Sequence, residues 1–148
     1  MTVWYHVFME KTSAPDKQIE VITRAVIVRD RQILLCRAKD ADWFFLPGGH
    51  VEFSEKLETA LSREIGEELG LRAAIGPRIG VVENIYRKKN VRYHEINFIF
   101  SVKIPKNSRI MSRENHIEFV WQEIESIKNV RLLPVSLRKI IFAGRSGG

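Results

Sequence analysis

The sequence predicts the α/β class, a mixed sheet covered by helices on both faces. Two observations carry this. β-branched runs lie on both sides of one amphipathic segment at residues 57–69, and a second helical segment closes the chain at residues 136–142. Strands before and after a central helix, with another helix at the end, pack most simply as a sheet with a helical layer on each face. At 148 residues the chain reads as a single domain, 1–148, long enough to bury a real core.

The elements follow in order. After a polar break at residues 11–17, the run IEVITRAVIV (residues 19–28) is β-branched and reads as a long strand. Arg29-Asp30-Arg31 is a short turn and residues 32–37 are the returning strand. A polar loop at 39–42 precedes residues 43–46, which lead into Pro47-Gly48-Gly49. Ser54 is placed to cap the central helix, and Gly70 fits the left-handed position just past its end. Gly66 costs the helix interior about 1 kcal/mol relative to Ala, with no reason visible in the sequence. Residues 78–86 and 91–104 read as strands joined by the basic turn Arg87-Lys88-Lys89-Asn90, and residues 117–121 as a further short strand. Residues 123–127 suggest one helical turn. A terminal helix over 136–142 has Ser136 as cap and Gly144 as stop, and the tail 145–148 is expected to fray.

Composition bounds the function classes. A hydrophobic fraction of 45% and a charged fraction of 28% are those of an ordinary globular protein. No apolar run approaches ~18 residues, so no transmembrane helix is expected. The first residues, MTVWYHVFMEKTSAPDK, lack the apolar core of a secretory signal. A cytoplasmic location is the expectation, with no membrane partner. The single cysteine, Cys36, lies in an apolar run and reads as a small core residue. The net charge of +6 fits a polyanionic ligand. Small phosphorylated ligands are favoured over nucleic acid, because the basic residues are scattered.

One stretch carries the chemistry. Residues 49–71 read GHVEFSEKLETALSREIGEELGL. Glu64, Glu67 and Glu68 fall at i, i+3 and i+4 on one helical face, where like charges repel by about 0.2–0.5 kcal/mol per pair. At about 100° per residue, Leu57, Ala60, Leu61, Ile65 and Leu69 form the stripe that packs on the protein. Glu64 and Glu68 project inside that stripe and Glu67 sits at its edge. Carboxylates withdrawn from water must be paired, metal-bound or protonated. The plainer alternative, a surface helix with an acidic face, would place these glutamates elsewhere. An oxygen-only cluster suits Mg²⁺ or Mn²⁺, and no Cys/His set suits zinc.

Written G-x5-E-x7-R-E-U-x-E-E-x-G-U, with U aliphatic, the pattern is filled by Gly49, Glu55, Arg63, Glu64, Ile65, Glu67, Glu68, Gly70 and Leu71. It resembles the signature of the Nudix hydrolases. The resemblance implies an α/β/α sandwich and metal-dependent hydrolysis of a phosphoanhydride, with Mg²⁺ or Mn²⁺ as cofactor. It implies Glu67 and Glu68 as principal metal ligands and Glu64 as a further ligand or the base that deprotonates water. The carbonyl of Gly48 would be another ligand. Arg63 would orient the acidic side chains, and Glu55 would support the loop–helix junction through Arg63.

A further acid often enters such sites from a later segment. Glu118, three residues before Trp121, is the first choice, with Glu114 and Glu95 as competitors. Trp43, Phe44 and Phe45 could stack on a base, although alternation sends one or two of them into the core. Tyr86 and Tyr93 flank the basic turn. Phe44, Tyr86 and Arg37 are the candidate substrate contacts, and His50 is more simply a loop histidine.

The favoured function is hydrolysis of a nucleoside diphosphate linked to another moiety. The alternatives are an RNA 5′-end pyrophosphohydrolase and a catalytically silent binding module. A silent module should show substitutions among the glutamates or Arg63, and there are none. The resemblance also admits a homodimer.

Overall fold

The protein is described by a computed structural model that covers residues 16–143. The polar break before Asp16, the Gly144 stop and the tail 145–148 lie outside the described residues. Strand β1 (Lys17–Arg29) and β2 (Gln32–Ala38) join through a tight turn in which Asp30 and Arg31 both take positive φ, 51° and 65°. That is the pairing of conformations that matches the twist of a two-residue hairpin. The hairpin zips for only two residue pairs, Val28 with Ile33 and Arg29 with Gln32. Beyond them β1 turns to β5 (Val91–Lys103), in parallel from Lys17–Arg92 to Ile27–Val102, and β2 turns to β6 (Ile117–Glu123). With β4 (Ala74–Lys88) antiparallel on β5, the order is β4-β5-β1-β2-β6.

Two strands differ from the sequence expectation. The glycine-rich stretch is not a free loop: β3 (Gly48–His50) pairs antiparallel with Ile22–Arg24 of β1. Glycine there marks close approach of two backbones. A Cβ on Gly48, whose φ is 136°, would lie 2.0 Å from the Thr23 carbonyl oxygen. The strand expected from residue 78 begins four residues earlier, because register shifts between Ile75, Arg78 and Gly80 absorb Gly76 and Pro77 as bulges.

Helix α1 (Leu57–Leu69) starts later than Ser54 predicts. Ser54 sits outside it at φ 65°, and the N-cap residue Lys56 makes no side-chain cap. The preceding turn is fixed instead by Glu55, whose carboxylate accepts the Glu52 N–H at 3.0 Å. Gly70 closes the helix in the left-handed conformation, φ 66°, as expected. A 3₁₀ segment (Ile124–Asn129) and helix α2 (Leu137–Ala143) complete the described chain.

Alternation along the strands sorts the core into two layers. Ala25, Ile27, Leu34 and Phe100 pack against Leu61, Ile65 and Leu69 of α1. Val26, Ile33, Leu35 and Ile99 pack on the other face against Ile124, Ile127, Leu137 and Ile141. This is the α/β/α sandwich, with β1 as its dividing wall. Among the described residues no helix is long and apolar enough to cross a membrane.

Two glycine substitutions should separate. Gly48→Ala forces a Cβ into the β1 backbone at a φ that L residues avoid, and should destabilise by about 2 kcal/mol or more. Gly66→Ala meets nothing within 4 Å and should stabilise by about 1 kcal/mol. Urea unfolding midpoints of the two variants against the parent would decide; a stabilised Gly48→Ala would contradict the close β1–β3 contact.

Candidate active site

The site is assembled around Arg63. Its Nε and one terminal nitrogen grip both oxygens of Glu55, at 2.8 and 3.0 Å. The other terminal nitrogen reaches Glu64 at 3.0 Å and both oxygens of Glu67 at 3.3 Å. A further N–H donates to the His50 carbonyl at 3.0 Å, fixing the end of β3 against α1. The guanidinium fork suits this multidentate holding in a way an ammonium would not. Glu55 is held well below the usual carboxylate range, at about 2, chiefly by its hydrogen bond from Arg63 and then by the Glu52 N–H.

Glu64 is packed under Gly49, where an added Cβ would stand 2.4 Å from the carboxyl carbon. Glu67 is half exposed at the helix edge. Glu68 is buried, 5% exposed, and its Oε2 has no hydrogen-bond partner. Its carboxyl is pushed up to about 8, first by burial and then by the negative charge of Glu64. The cation of Arg24 and the Gly48 N–H pull the other way. Burial also raises the Cys36 thiol, with the Glu68 charge adding to it.

The later acids sort themselves by strand face. Glu118 does not join the cluster. It pairs with Arg37 across β2 and β6, Nε to Oε2 2.8 Å. Phe119, which follows it, pairs with Cys36 at the adjacent register position and packs on the α1 side. A strand alternates faces at each residue, so Glu118 and Arg37 lie on the α2 side. Glu114 is the acid that α1 meets: the Arg113 N–H donates to the Glu68 carbonyl at 2.8 Å, and the Glu114 charge contributes to the raised Glu68 carboxyl. Glu95 lies elsewhere again, on β5.

Among the candidate substrate contacts, Tyr86 lines a cavity of about 550 Å³ on the α2 side of the sheet; Phe44 and Arg37 do not. Phe44 packs against the buried α2-side cluster, with Arg37 5.5 Å above its ring. Its neighbours Trp43 and Phe45 line the cavity instead, as alternation allows. Arg24 of β1, Asn84 and Lys88 of β4, and Glu95 of β5 supply its polar wall. Sequence reading missed Arg24. The signal was a cation in the middle of a β-branched run, directly before the apolar stretch Ala25-Val26-Ile27-Val28. Arg24 is the cross-strand partner of Gly48, so the cavity and the carboxylate cluster are neighbours across β1 and β3. Tyr93 stacks on Tyr86 at 5.0 Å, and His50 pairs with Glu20 at 3.1 Å.

The donor set fits a hard divalent cation. All candidates are oxygens, Glu68 Oε2 is an orphaned buried acceptor, and Gly49 leaves open the space beside Glu64 that a side chain would fill. Among the described residues no three His, Cys, Asp or Glu side chains form a ready-made metal cage. Mg²⁺ requires none, since it takes one or two carboxylates and completes its shell with water and phosphate oxygens.

These features define a protein class. A NUDIX domain profile matches residues 20–142, and the chain belongs to the Nudix hydrolase family. It is 30% identical to the CTP pyrophosphohydrolase of Escherichia coli K12 over 126 residues, covering 82% of this chain and 87% of that protein. It is 36% identical to the ADP-ribose pyrophosphatase of Methanocaldococcus jannaschii over 87 residues, 57% of this chain and 50% of the relative. The chain spans about half the length or less of the curated relatives it matches at 36 to 45% identity. In fold it resembles a NUDIX hydrolase from Nitrosomonas europaea, TM-score 0.70 at 22% identity, covering 88% of this chain and 90% of that one.

The Glu68 carboxyl gives stability a pH slope of definite sign. Its folded value, about 8, lies above the ordinary 4.5, so between these values the native state holds a proton that the unfolded chain has lost. Stability from this group is therefore present at low pH and lost as pH rises from about 4.5 through 8. In chelator, Glu68→Gln should flatten this fall. Thermal midpoints measured from pH 5 to 8.5 would show it, and parallel curves for variant and parent would contradict it.

Proposed function

We propose that the protein is a metal-dependent pyrophosphohydrolase that cleaves a phosphoanhydride in a small nucleotide-type substrate. The observation that carries this is the Arg63-held trio of Glu55, Glu64 and Glu67 beside the unpartnered Oε2 of Glu68. A base-sized cavity stands across β1 from it. Mg²⁺ or Mn²⁺, when bound, neutralises charge on the phosphate oxygens and lowers the pKa of bound water. Glu67, Glu68 and the Gly48 carbonyl would hold it, with Glu64 as a further ligand or the base that takes the proton from water. Arg63 and Glu55 position these acids and do not react. Glu114 takes the place expected of Glu118 as the acid from a later segment.

The cavity takes the nucleoside end, with Trp43, Phe45 and Tyr86 as aromatic walls and Arg24 and Lys88 as cations. Two relatives, an ADP-ribose pyrophosphatase and a CTP pyrophosphohydrolase, point to ADP-ribose and CTP as substrate types. RNA is the second reading, supported by Arg87, Lys88, Lys89 and Arg92 at the β4–β5 turn. The described surface has no long aromatic-basic platform for a strand, so small nucleotides are favoured.

The acid series tests the roles. Hydrolysis should vanish in chelator and return with Mg²⁺ or Mn²⁺. Glu68→Gln should lower kcat on the order of 10²–10⁴-fold. Glu114→Gln should cost about 10–100-fold, whereas Glu118→Gln should stay within about twofold, as for an exposed pair. Undiminished turnover by Glu68→Gln in matched metal would refute the assignment.

Substrate size is tested separately with a panel of nucleoside triphosphates, nucleotide sugars and 5′-triphosphorylated RNA. Small nucleotides should be hydrolysed, with KM changing modestly between about 50 and 200 mM salt. A strand-binding enzyme would lose affinity with a slope near −0.7 per phosphate contact. Release of 5′ ends from RNA with small nucleotides left intact would favour the RNA reading.

A further inference from the structure

The cavity holds one charged group that the proposed hydrolysis does not use. Glu95 projects from β5 into it. Its carboxylate is oriented by neutral donors only. The Tyr86 hydroxyl donates to Oε1 at 3.0 Å, and Asn84 Nδ2 donates to Oε2 at 3.1 Å. Asn97 Nδ2 stands 3.5 Å from the same Oε2. Among the described residues Glu95 makes no ion pair, although Arg24 and Lys88 share the cavity. Arg24 is engaged elsewhere, donating to the Leu46 carbonyl at 3.0 Å and to Asn97 Oδ1 at 3.4 Å.

We propose that Glu95 reads the base of the substrate and selects a guanine-type edge. The proposal rests on the reading of this cavity as the place of the nucleoside end. An ionised carboxylate only accepts hydrogen bonds, and its two oxygens offer about four lone-pair sites. Tyr86 takes one site on Oε1 and Asn84 one on Oε2, which fixes the plane of the group. The Asn97 bond to Oε2, the longest of the three at 3.5 Å, is the one a ligand donor displaces, so that each oxygen can accept one hydrogen bond from a ligand. The matching ligand is a pair of parallel N–H donors. Guanine carries such a pair, N1–H beside the exocyclic N2 amino group. Adenine and cytosine place a ring acceptor beside their amino group, and uracil flanks its N–H with two carbonyls. Each of these would set a lone pair against the carboxylate. Hypoxanthine keeps N1–H and lacks the amino group, so it loses one of the two bonds.

The cavity walls complete the fit. Trp43, Phe45 and Tyr86 provide apolar ring surface, and the Tyr86 ring is itself braced by stacking on Tyr93. The same carboxylate gives a role to the Asn84 amide and the Tyr86 hydroxyl. Asn84 and Tyr86 recur at alternate positions of β4, on the face that meets Glu95, and they hold it in one orientation. A site built to hydrogen-bond a donor pair rejects analogues that lack it, because its own polar groups are left unpaired.

The test is binding without chemistry. Nucleoside monophosphates are titrated calorimetrically into the full chain in chelator. GMP should bind about tenfold or more tighter than IMP, AMP, CMP or UMP, the cost of losing a bond to a charged group. In Glu95→Gln, GMP and IMP should come within about threefold of each other. The GMP–IMP comparison on the unaltered chain needs no variant, so a misfolded substitution does not protect the proposal. Undetectable GMP binding, equal affinities, or a guanine preference kept by Glu95→Gln would overturn it. Guanine preference with no hydrolysis of any nucleotide would uphold this inference while sinking the enzymatic one. Hydrolysis with no base preference in binding would do the reverse.

Discussion

The structure turns on one guanidinium that gathers like charges. Arg63 lies within hydrogen-bond distance of Glu55, Glu64 and Glu67 and also holds the His50 carbonyl. Without a cation at the centre, carboxylates at i, i+3 and i+4 would push the helix face apart. With it, the same side chains tie α1 to the turn before it and to β3. The Glu55 grip is bidentate, so it sets direction as well as distance. A lysine would supply the charge and lose the geometry.

This clamp has a steric counterpart in the two glycines. Gly48 lets β3 lie against Thr23, and Gly49 lets Glu64 lie against β3. The backbone of β3 is therefore pressed between β1 and the acidic face of α1. Through Arg24, the partner of Gly48 in β1, the same contact reaches the cavity on the other side of the sheet. The carboxylate cluster and the aromatic cavity are thus neighbours across β1 and β3, as the proposed substrate would require of the places for its anionic and its flat ends. Their separation is set by sheet architecture and not by a flexible loop.

Much of this was legible in the sequence, and what was not has physical causes. The signature residues are local to one helix, so their shared face follows from its 3.6-residue period. The strands showed through β-branching. Contacts between elements distant in sequence did not show. Gly48–His50 looks like a loop because it is rich in glycine; only its partner β1 makes it a strand. Ser54 has a capping side chain, but the Arg63–Glu55 clamp decides where the chain enters the helix. Glu118 and Glu114 differ by four residues, and only the strand register reveals that Glu118 faces away from α1. The same one-residue alternation sends Phe44 to the core and leaves Trp43 and Phe45 at the cavity. Arg24 was a visible anomaly, a long cation set directly before the apolar stretch Ala25-Val26-Ile27-Val28 in the middle of a strand.

Glu68 shows why such a site sits where it does. Burying a carboxylate beside another carboxylate is costly, and its Oε2 gains no hydrogen bond in return. A core designed for stability alone would place an apolar side chain at this turn of α1, between Ile65 and Leu69. The cost is sensible only if a ligand offsets it, because a cation bound to the native state stabilises by mass action what the bare fold leaves unfavourable. Arg24 and the Gly48 N–H temper the charge but do not cancel it. A cation bound beside Glu68 would offset that cost and draw its carboxyl back toward the ionised form.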